Sequence, residues 1–176
     1  ELSAMWHAFA GDKPLVFAPG TAHEQAGKFL ESAAVVCKEL NMPGVLLSTN
    51  VNQHPTRLPP RVVTAKYLPF SQLLPHAAAI IHHGGVGTTS QALRAGVPQV
   101  VVPMAFDQFD NAERVAKLQC GSWLPMAKHS PSRLAAHLRN LPRTSPRCAL
   151  VAKQMAAQPP ACELAVEKIR QMLSRR

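Results

Sequence analysis

Two adjacent histidines, a run of glycines and a later acid–amide pair carry the chemistry that can be read in this 176-residue chain. His82-His83 leads directly into Gly84-Gly85-Val86-Gly87-Thr88-Thr89, and Asp107-Gln108 follows an apolar run that ends at Pro103. Glycines let a ligand approach the backbone closely. The two threonine hydroxyls stand where a helix would start. Backbone N–H groups at a helix N-terminus, with an imidazole beside them, suit an anion of the diphosphate type. The plainer reading is a tight turn after a strand, which would leave the Asp107-Gln108 loop a coincidence.

Rival chemistries fit less well. Gly84 to Gly87 lacks the G-x-G-x-x-G spacing of a dinucleotide fingerprint, and no Gly-Lys-Ser/Thr follows to make a Walker loop. This argues against a dinucleotide oxidoreductase. His82 and His83 are neighbours at a strand end and point to opposite sides, so they do not share a metal ion. An imidazole that donates to phosphate is the better reading of the pair; for His82 the plainer reading is a core histidine, and it receives no role. Neither Ser48 nor Ser90 lies in a G-x-S-x-G nucleophile elbow. Cys37, Cys120, Cys148 and Cys162 form no Cys-x-x-Cys pair, which speaks against a metal site or a disulfide framework and for a reduced cytosolic setting.

The elements that must position these groups follow from the apolar pattern. Short strands with little alternation are expected at residues 15–18, 45–48, 61–65, 79–82, 99–102 and 122–124. Leu2, Met5, Trp6 and Phe9 share one helix face. A helix over residues 24–40 turns Phe29, Leu30, Ala33, Val36, Cys37 and Leu40 inward. Shorter helices are expected at 71–74, at 90–95 stopped by Gly96, and from a capping box at Asp110–Glu113 to about Leu118. Two or three more follow, and the last carries Cys162, Val166, Ile169 and Leu173 on one stripe, with Arg175 and Arg176 at its negative end. Such an alternation predicts an α/β fold: a doubly wound, Rossmann-like parallel sheet of about six strands with helices on both faces.

Apolar residues make up 47% of the chain and charged residues 16%, which fits one globular domain. No apolar run approaches the roughly 18 residues of a membrane span. The start at Glu1, with no signal-like segment, reads as a domain cut from a longer protein. The net charge is +9. Much of the excess falls late, at Arg133, Arg139, Arg143, Arg147, Lys153, Lys168 and Arg170. A solvated basic face, an anionic substrate, a membrane surface and an acidic partner domain all remain open. Nucleic acid is disfavoured, because these cations are not interleaved with aromatic rings.

The run from His82 to Gln99, with Pro103, Asp107-Gln108 and Asn111-Ala112, closely resembles the donor-binding signature of the UDP-glycosyltransferase-type enzymes. The resemblance covers residues 61–121 well, 14–60 by layout and the tail loosely. It implies the C-terminal half of a GT-B fold: a nucleotide-sugar-binding domain whose missing N-terminal partner binds the acceptor and supplies the histidine base. No catalytic residue, metal or cofactor is then expected in this chain, which alone would be inactive in transfer. By position, His83 looks like the diphosphate-binding histidine, with Gly85, Gly87 and Thr88 as donors beside it and Gly20 and Thr21 near the phosphates. Tyr67 and Leu68 match the place where an aromatic ring stacks on the base and a backbone amide reads it. Gln91 stands where many members have a ribose-binding glutamate, and Asp107 and Gln108 match the pair that holds the sugar hydroxyls. Val86-Gly87, where plant members have tryptophan-asparagine, points to a bacterial type.

Among bacterial members, residues 67–75 and 106–111 are most similar to the rhamnosyltransferase of rhamnolipid synthesis and its relatives. That implies inverting transfer from dTDP-rhamnose to a hydroxyacyl lipid. UDP-glucose transfer to a sterol or small natural product is the alternative, and a nucleotide-binding regulatory module is the non-enzymatic one. The resemblance divides the chain into 1–13 as the end of an interdomain linker or short helix, 14–160 as the nucleotide-sugar-binding domain, and 161–176 as a C-terminal helix packing on the missing half. Its expected partners are the nucleotide sugar and the acceptor domain of the same enzyme. Its expected location is cytoplasmic, at the inner membrane only if the acceptor domain takes it there.

Overall fold

The structure is a computed structural model that describes Phe9 and residues 11–20, 26–141, 145–159 and 161–174. Leu2, Met5 and Trp6 of the first expected helix, Thr21, the start of the 24–40 helix, Arg143, Arg175 and Arg176 lie outside the described residues.

Six parallel strands form one sheet in the order β3-β2-β1-β4-β5-β6. They are β1 (Leu15–Ala18), β2 (Gly44–Leu47), β3 (Val62–Ala65), β4 (Ala79–His82), β5 (Gln99–Val101) and β6 (Gly121–Trp123). This is the doubly wound order, and its direction reverses between β1 and β4. The inner strands β1, β2, β4 and β5 are buried along their whole length, which explains their unbroken apolar sequences. The edge strands β3 and β6 are mostly half-buried.

The pleat divides the core. Leu15, Phe17, Leu46, Ile81 and Val100 point to the face covered by α1 (Ala26–Leu40) and α5 (Pro131–Asn140). Val16, Val45 and Ile80 point the other way, onto α2 (Phe70–Leu73) and α3 (Val86–Ala95). Val101 meets α4 (Gln108–Lys117) and α6 (Pro146–Ala156) on that same side. The inner face of α1 buries Phe29, Leu30, Ala33, Val36 and Cys37 as its period predicts, with Leu40 packed at the margin.

Two helix starts, those of α3 and α4, differ from the sequence expectation. α3 begins at Val86 rather than at residue 90, so Val86, Gly87 and Thr88 form its first turn and not a loop. α4 begins at Gln108, with Asp107 at the N-cap position. Asp110 is therefore no cap; it sits inside the helix and pairs with Arg114 at 2.7 Å. Pro131 and Pro146 open α5 and α6. Each follows a serine, Ser130 or Ser145, whose hydroxyl accepts the N–H of Arg133 or Cys148. The last helix, α7 (Ala161–Leu173), forms as expected. Its residues from Cys162 onward are all exposed, Val166, Ile169 and Leu173 included.

Some of the late basic residues serve the fold itself. Arg139 pairs with Glu39, and Arg133 and Arg147 donate to the Lys128 and Leu118 carbonyls. These contacts are exposed, so each adds little stability.

β6 lies so close to β5 that a Cβ on Gly121 would stand 2.0 Å from the Gln99 carbonyl oxygen. Backbone cannot yield there as a flexible side chain would. Gly121→Ala is expected to cost about 3 kcal/mol or to detach the edge strand. Urea unfolding of the two proteins measures this; equal midpoints would contradict it.

Candidate functional site

A cleft of about 320 Å³ opens at the carboxyl ends of the strands, where the strand order reverses. Ligands bind such sheets at this switch point. Gly20 follows β1, Ser48 and Thr49 follow β2, Lys66, Tyr67 and Leu68 follow β3, and His83 follows β4; Thr88 and Gln91 reach in from α3. Among the described residues that line it none is acidic, while Lys66 and His83 supply basic groups. A larger cavity of about 560 Å³ lies at the opposite, amino ends of β5 and β6, between Pro98, Gly121 and His137. It gathers none of the residues singled out from the sequence.

Glycine contacts fix the His83 ring. A Cβ on Gly85 would lie 2.5 Å from His83 Nε2, and one on Gly20 would lie 2.9 Å from Nδ1. The imidazole thus occupies a slot that only two residues without side chains can form. α3 begins beside it, with Gly85 as its N-cap and no side chain capping the helix. The first-turn amides of Val86, Gly87 and Thr88 have no acceptor inside the helix, and the positive end of its dipole lies there. Thr89 is turned inward, with its hydroxyl donating to the Gly85 carbonyl at 3.0 Å, so Thr88 is the threonine that reaches the cleft. Gly87 is exposed, and a Cβ there would meet nothing within 4 Å.

His82 is fully buried. Its Nε2 lies 2.8 Å from Gln99 Oε1, and its Nδ1 accepts the Gly84 N–H at 3.1 Å. Burial, partly offset by the Gln99 bond and reinforced by nearby His83, pushes its pKa down to about 4.

Asp107 and Gln108 do not line the cleft, yet they abut the glycine turn. A Cβ on Gly84 would lie 3.1 Å from the Gln108 carbonyl oxygen. The Gln108 side-chain oxygen accepts the N–H groups of Met104 and Ala105 at 2.8 and 3.2 Å. Its oxygen therefore shapes the loop, and only its NH₂ group is left to donate elsewhere. Asp107 Oδ2 accepts from Asn111 Nδ2, and the same nitrogen donates to the Gly84 carbonyl, both at 2.9 Å. Asn111 was part of the recognised motif without a role; it ties the acid–amide pair to the turn. Tyr67 stands on the rim, 72% exposed, while Leu68 is buried below it.

Of the expected site residues, the structure brings Gly20, Tyr67, Leu68, His83, Thr88 and Gln91 into one cleft. It sets Gly85, Asp107 and Gln108 against the turn and leaves Gly87 in the open first turn of α3. Thr49 and Lys66 line the same cleft and were not singled out, because nothing in their local sequence marks them; Ser48, weighed only as a nucleophile, lines it too. Among the described residues no group of three or more His, Cys, Asp or Glu side chains is placed to hold a metal, and no helix is long and apolar enough to cross a membrane.

Known proteins share this fold. Residues 30–172 match the family model for the erythromycin biosynthesis protein CIII-like C-terminal domain. The elloramycin glycosyltransferase ElmGT of Streptomyces olivaceus is 38% identical over 109 residues, which are 62% of this chain and 28% of that protein. The crystal structure of the kitacinnamycin glycosyltransferase superimposes with a TM-score of 0.78 at 28% identity, covering 92% of this chain and 44% of that one. The glycosyltransferase VinC, solved with dTDP, gives 0.74 at 28% identity over 90% of this chain and 41% of its own. The chain thus spans less than half the length of these relatives.

The depressed pKa of His82 has a consequence for stability. Above about pH 6.5 it is neutral in both the folded and unfolded chain. Between 6.5 and about 4 only the unfolded chain takes up the proton. Its contribution is therefore complete above pH 6.5 and is lost as the pH falls towards 4, by about 3 kcal/mol in all. The His82 imidazole resonances are expected to stay flat from pH 8 to pH 5; an inflection near 6.5 would contradict the buried neutral ring.

Proposed function

The chain belongs to the family of erythromycin biosynthesis protein CIII-like C-terminal domains, and from that premise we propose that it is the donor-binding half of an inverting glycosyltransferase that uses a dTDP-deoxysugar. The observation that carries this reading is the His83 slot between Gly20 and Gly85, at the start of α3 in a cleft whose described lining residues include no carboxylate.

In this reading the diphosphate lies against His83 and the first-turn amides of α3. The base stacks on Tyr67 above Leu68. The acceptor hydroxyl loses its proton to a base on the other half of the enzyme. Its oxygen attacks the anomeric carbon from the face opposite the nucleotide, the carbon–oxygen bond to the diphosphate breaks, and the bonding pair leaves with the phosphate. His83, the amides and the helix dipole stabilise the charge that grows there. Asp107 and the Gln108 NH₂ group meet sugar hydroxyls.

Two features support dTDP over UDP. VinC was solved with dTDP. Gln91, in the place of a carboxylate that would grip a vicinal ribose diol, suits a deoxyribose with a single ring hydroxyl. Rhamnose is the sugar, and a hydroxyl of a hydroxyacyl lipid the acceptor, on the strength of the similarity at residues 67–75 and 106–111. Residues 1–13 lead in from the other half, and 14–160 bind the donor. The exposed apolar residues of α7, among them Val166, Ile169 and Leu173, pack on that other half.

Thermal unfolding with dTDP, UDP, GDP and NAD tests the donor class. Saturation at 100 times the dissociation constant adds about 2.7 kcal/mol, a rise of about 5–10 °C for a chain of this size. We expect the largest rise with dTDP. A larger rise with UDP moves the donor to a UDP-sugar, and no rise with any diphosphate overturns the reading. Gly85→Ala drives a methyl into the His83 ring and is expected to lower dTDP affinity about tenfold or more. In the two-domain enzyme, His83→Ala is expected to lower kcat about a hundredfold; unchanged turnover would sink the role given to His83.

A further inference from the structure

One buried polar pair has no part in the mechanism above. His82 ends β4 and Gln99 begins β5, and both are 0% exposed. The geometry fixes the tautomer of the histidine. Its Nδ1 accepts the Gly84 N–H, so that nitrogen is bare; the proton is on Nε2 and is donated to Gln99 Oε1 at 2.8 Å. The N–H held by His82 belongs to the peptide between His83 and Gly84. The next peptide is held from the other side, where Asn111 donates to the Gly84 carbonyl. Gly84 itself has a φ of +97°, a conformation that side-chain-bearing residues rarely adopt. Both peptide planes flanking this residue are thus set by side chains, and these planes aim the His83 ring on one side and the first turn of α3 on the other.

Gln99 also keeps a cost. Its Nε2 is buried with no hydrogen-bond partner among the described residues. An orphaned buried donor counts against folding. An apolar side chain would fill this place without that cost, so the amide is explained by what its oxygen holds.

We propose that Gln99 and His82 are positioning residues for the nucleotide diphosphate: Gln99 locks His82 in the one tautomer that can accept from Gly84, and the locked ring sets the turn that aims His83 and the α3 amides. This rests on the donor reading above. Neither residue touches the ligand. A protonated His82 cannot do this work, because its Nδ1 becomes a donor facing another donor. Its surroundings keep it neutral. β1 pairs with it at Ala18 and β5 at Val101; α3 buries Thr89 and Ala92 on this side, α4 buries Ala112 and Val115, and α6 buries Cys148 and Val151. His83 is the neighbouring group whose charge acts on it.

The test replaces Gln99 by Glu and by Met and follows dTDP affinity by calorimetry from pH 8 to 5.5, with ¹⁵N spectra of the imidazoles recorded without ligand. In the unaltered chain His82 should show the Nε2–H tautomer throughout. In Gln99→Glu a carboxylate beside Nε2 draws a second proton onto the ring within this range. Affinity should then fall about tenfold further on acidification than it does in the unaltered chain. In Gln99→Met affinity should drop about tenfold at every pH, with no new acid limb. Titration of the phosphate is common to all three proteins, and the ¹⁵N spectra show which imidazole takes up the added proton. Parallel profiles for Gln99→Glu and the unaltered chain, or an Nδ1–H tautomer in the latter, would overturn the proposal. If the unaltered chain binds no dTDP, the donor reading fails; the tautomer, and faster exchange of the Gly84 amide in Gln99→Met, still decide the relay.

Discussion

Everything at the cleft depends on one steric constraint: the His83 ring lies where two Cβ atoms would otherwise be. Gly20 comes from the end of β1 and Gly85 from the start of α3. The slot exists only because β1 and β4 are neighbours at the point where the chain reverses its direction of winding. The sheet register brings Ala18 opposite His82, so the loops after these strands diverge from a common level. A ring wedged in this way loses little further freedom when an anion arrives, so the group is oriented before it is needed.

Around the slot, the site is built of side chains that hold backbone and of backbone left free for a ligand. Gln108 spends its oxygen on two loop amides, Asn111 spends its NH₂ on Asp107 and Gly84, and Thr89 spends its hydroxyl on Gly85. What these bonds leave over is the first turn of α3, uncapped by any side chain. Buried polar groups fully engaged with one another rigidify a site, whereas unengaged ones would weaken it.

Much of this was legible from residue order. Strand β4 ends at His82 as the apolar pattern indicates, and the six-strand doubly wound sheet follows from short unbroken apolar segments set between helices. Helix starts were less legible. Gly85 and Gly87 read as loop, yet α3 begins at Val86, because the sheet and the covering helices hold a turn whose intrinsic propensity is poor. Asp110 looked like a cap because its spacing to Glu113 is that of a capping box, but Asp107 reaches the end of the loop first. Thr49 and Lys66 were invisible, and Ser48 was visible only as a rejected nucleophile, since only the pairing of β2 and β3 beside β1 carries them to the cleft. His82 could be read as a core residue; that its partner is Gln99, 17 positions away, is a fact of β4–β5 register.

The Asn111 amide joins two ends of the site that a ligand would address separately. One nitrogen serves both Asp107, at the end proposed for the sugar, and Gly84, at the end proposed for the diphosphate. A hydroxyl that drew Asp107 away would leave Asn111 wholly committed to Gly84, and a shift of Gly84 would be felt at Asp107. Thermodynamic linkage makes such an exchange reciprocal. On the proposed donor reading, the sugar and diphosphate parts of one donor would not contribute independently: a nucleotide stripped of its sugar would meet a differently tensioned cradle from the one that greets the intact molecule, and product and substrate would be told apart by the same amide.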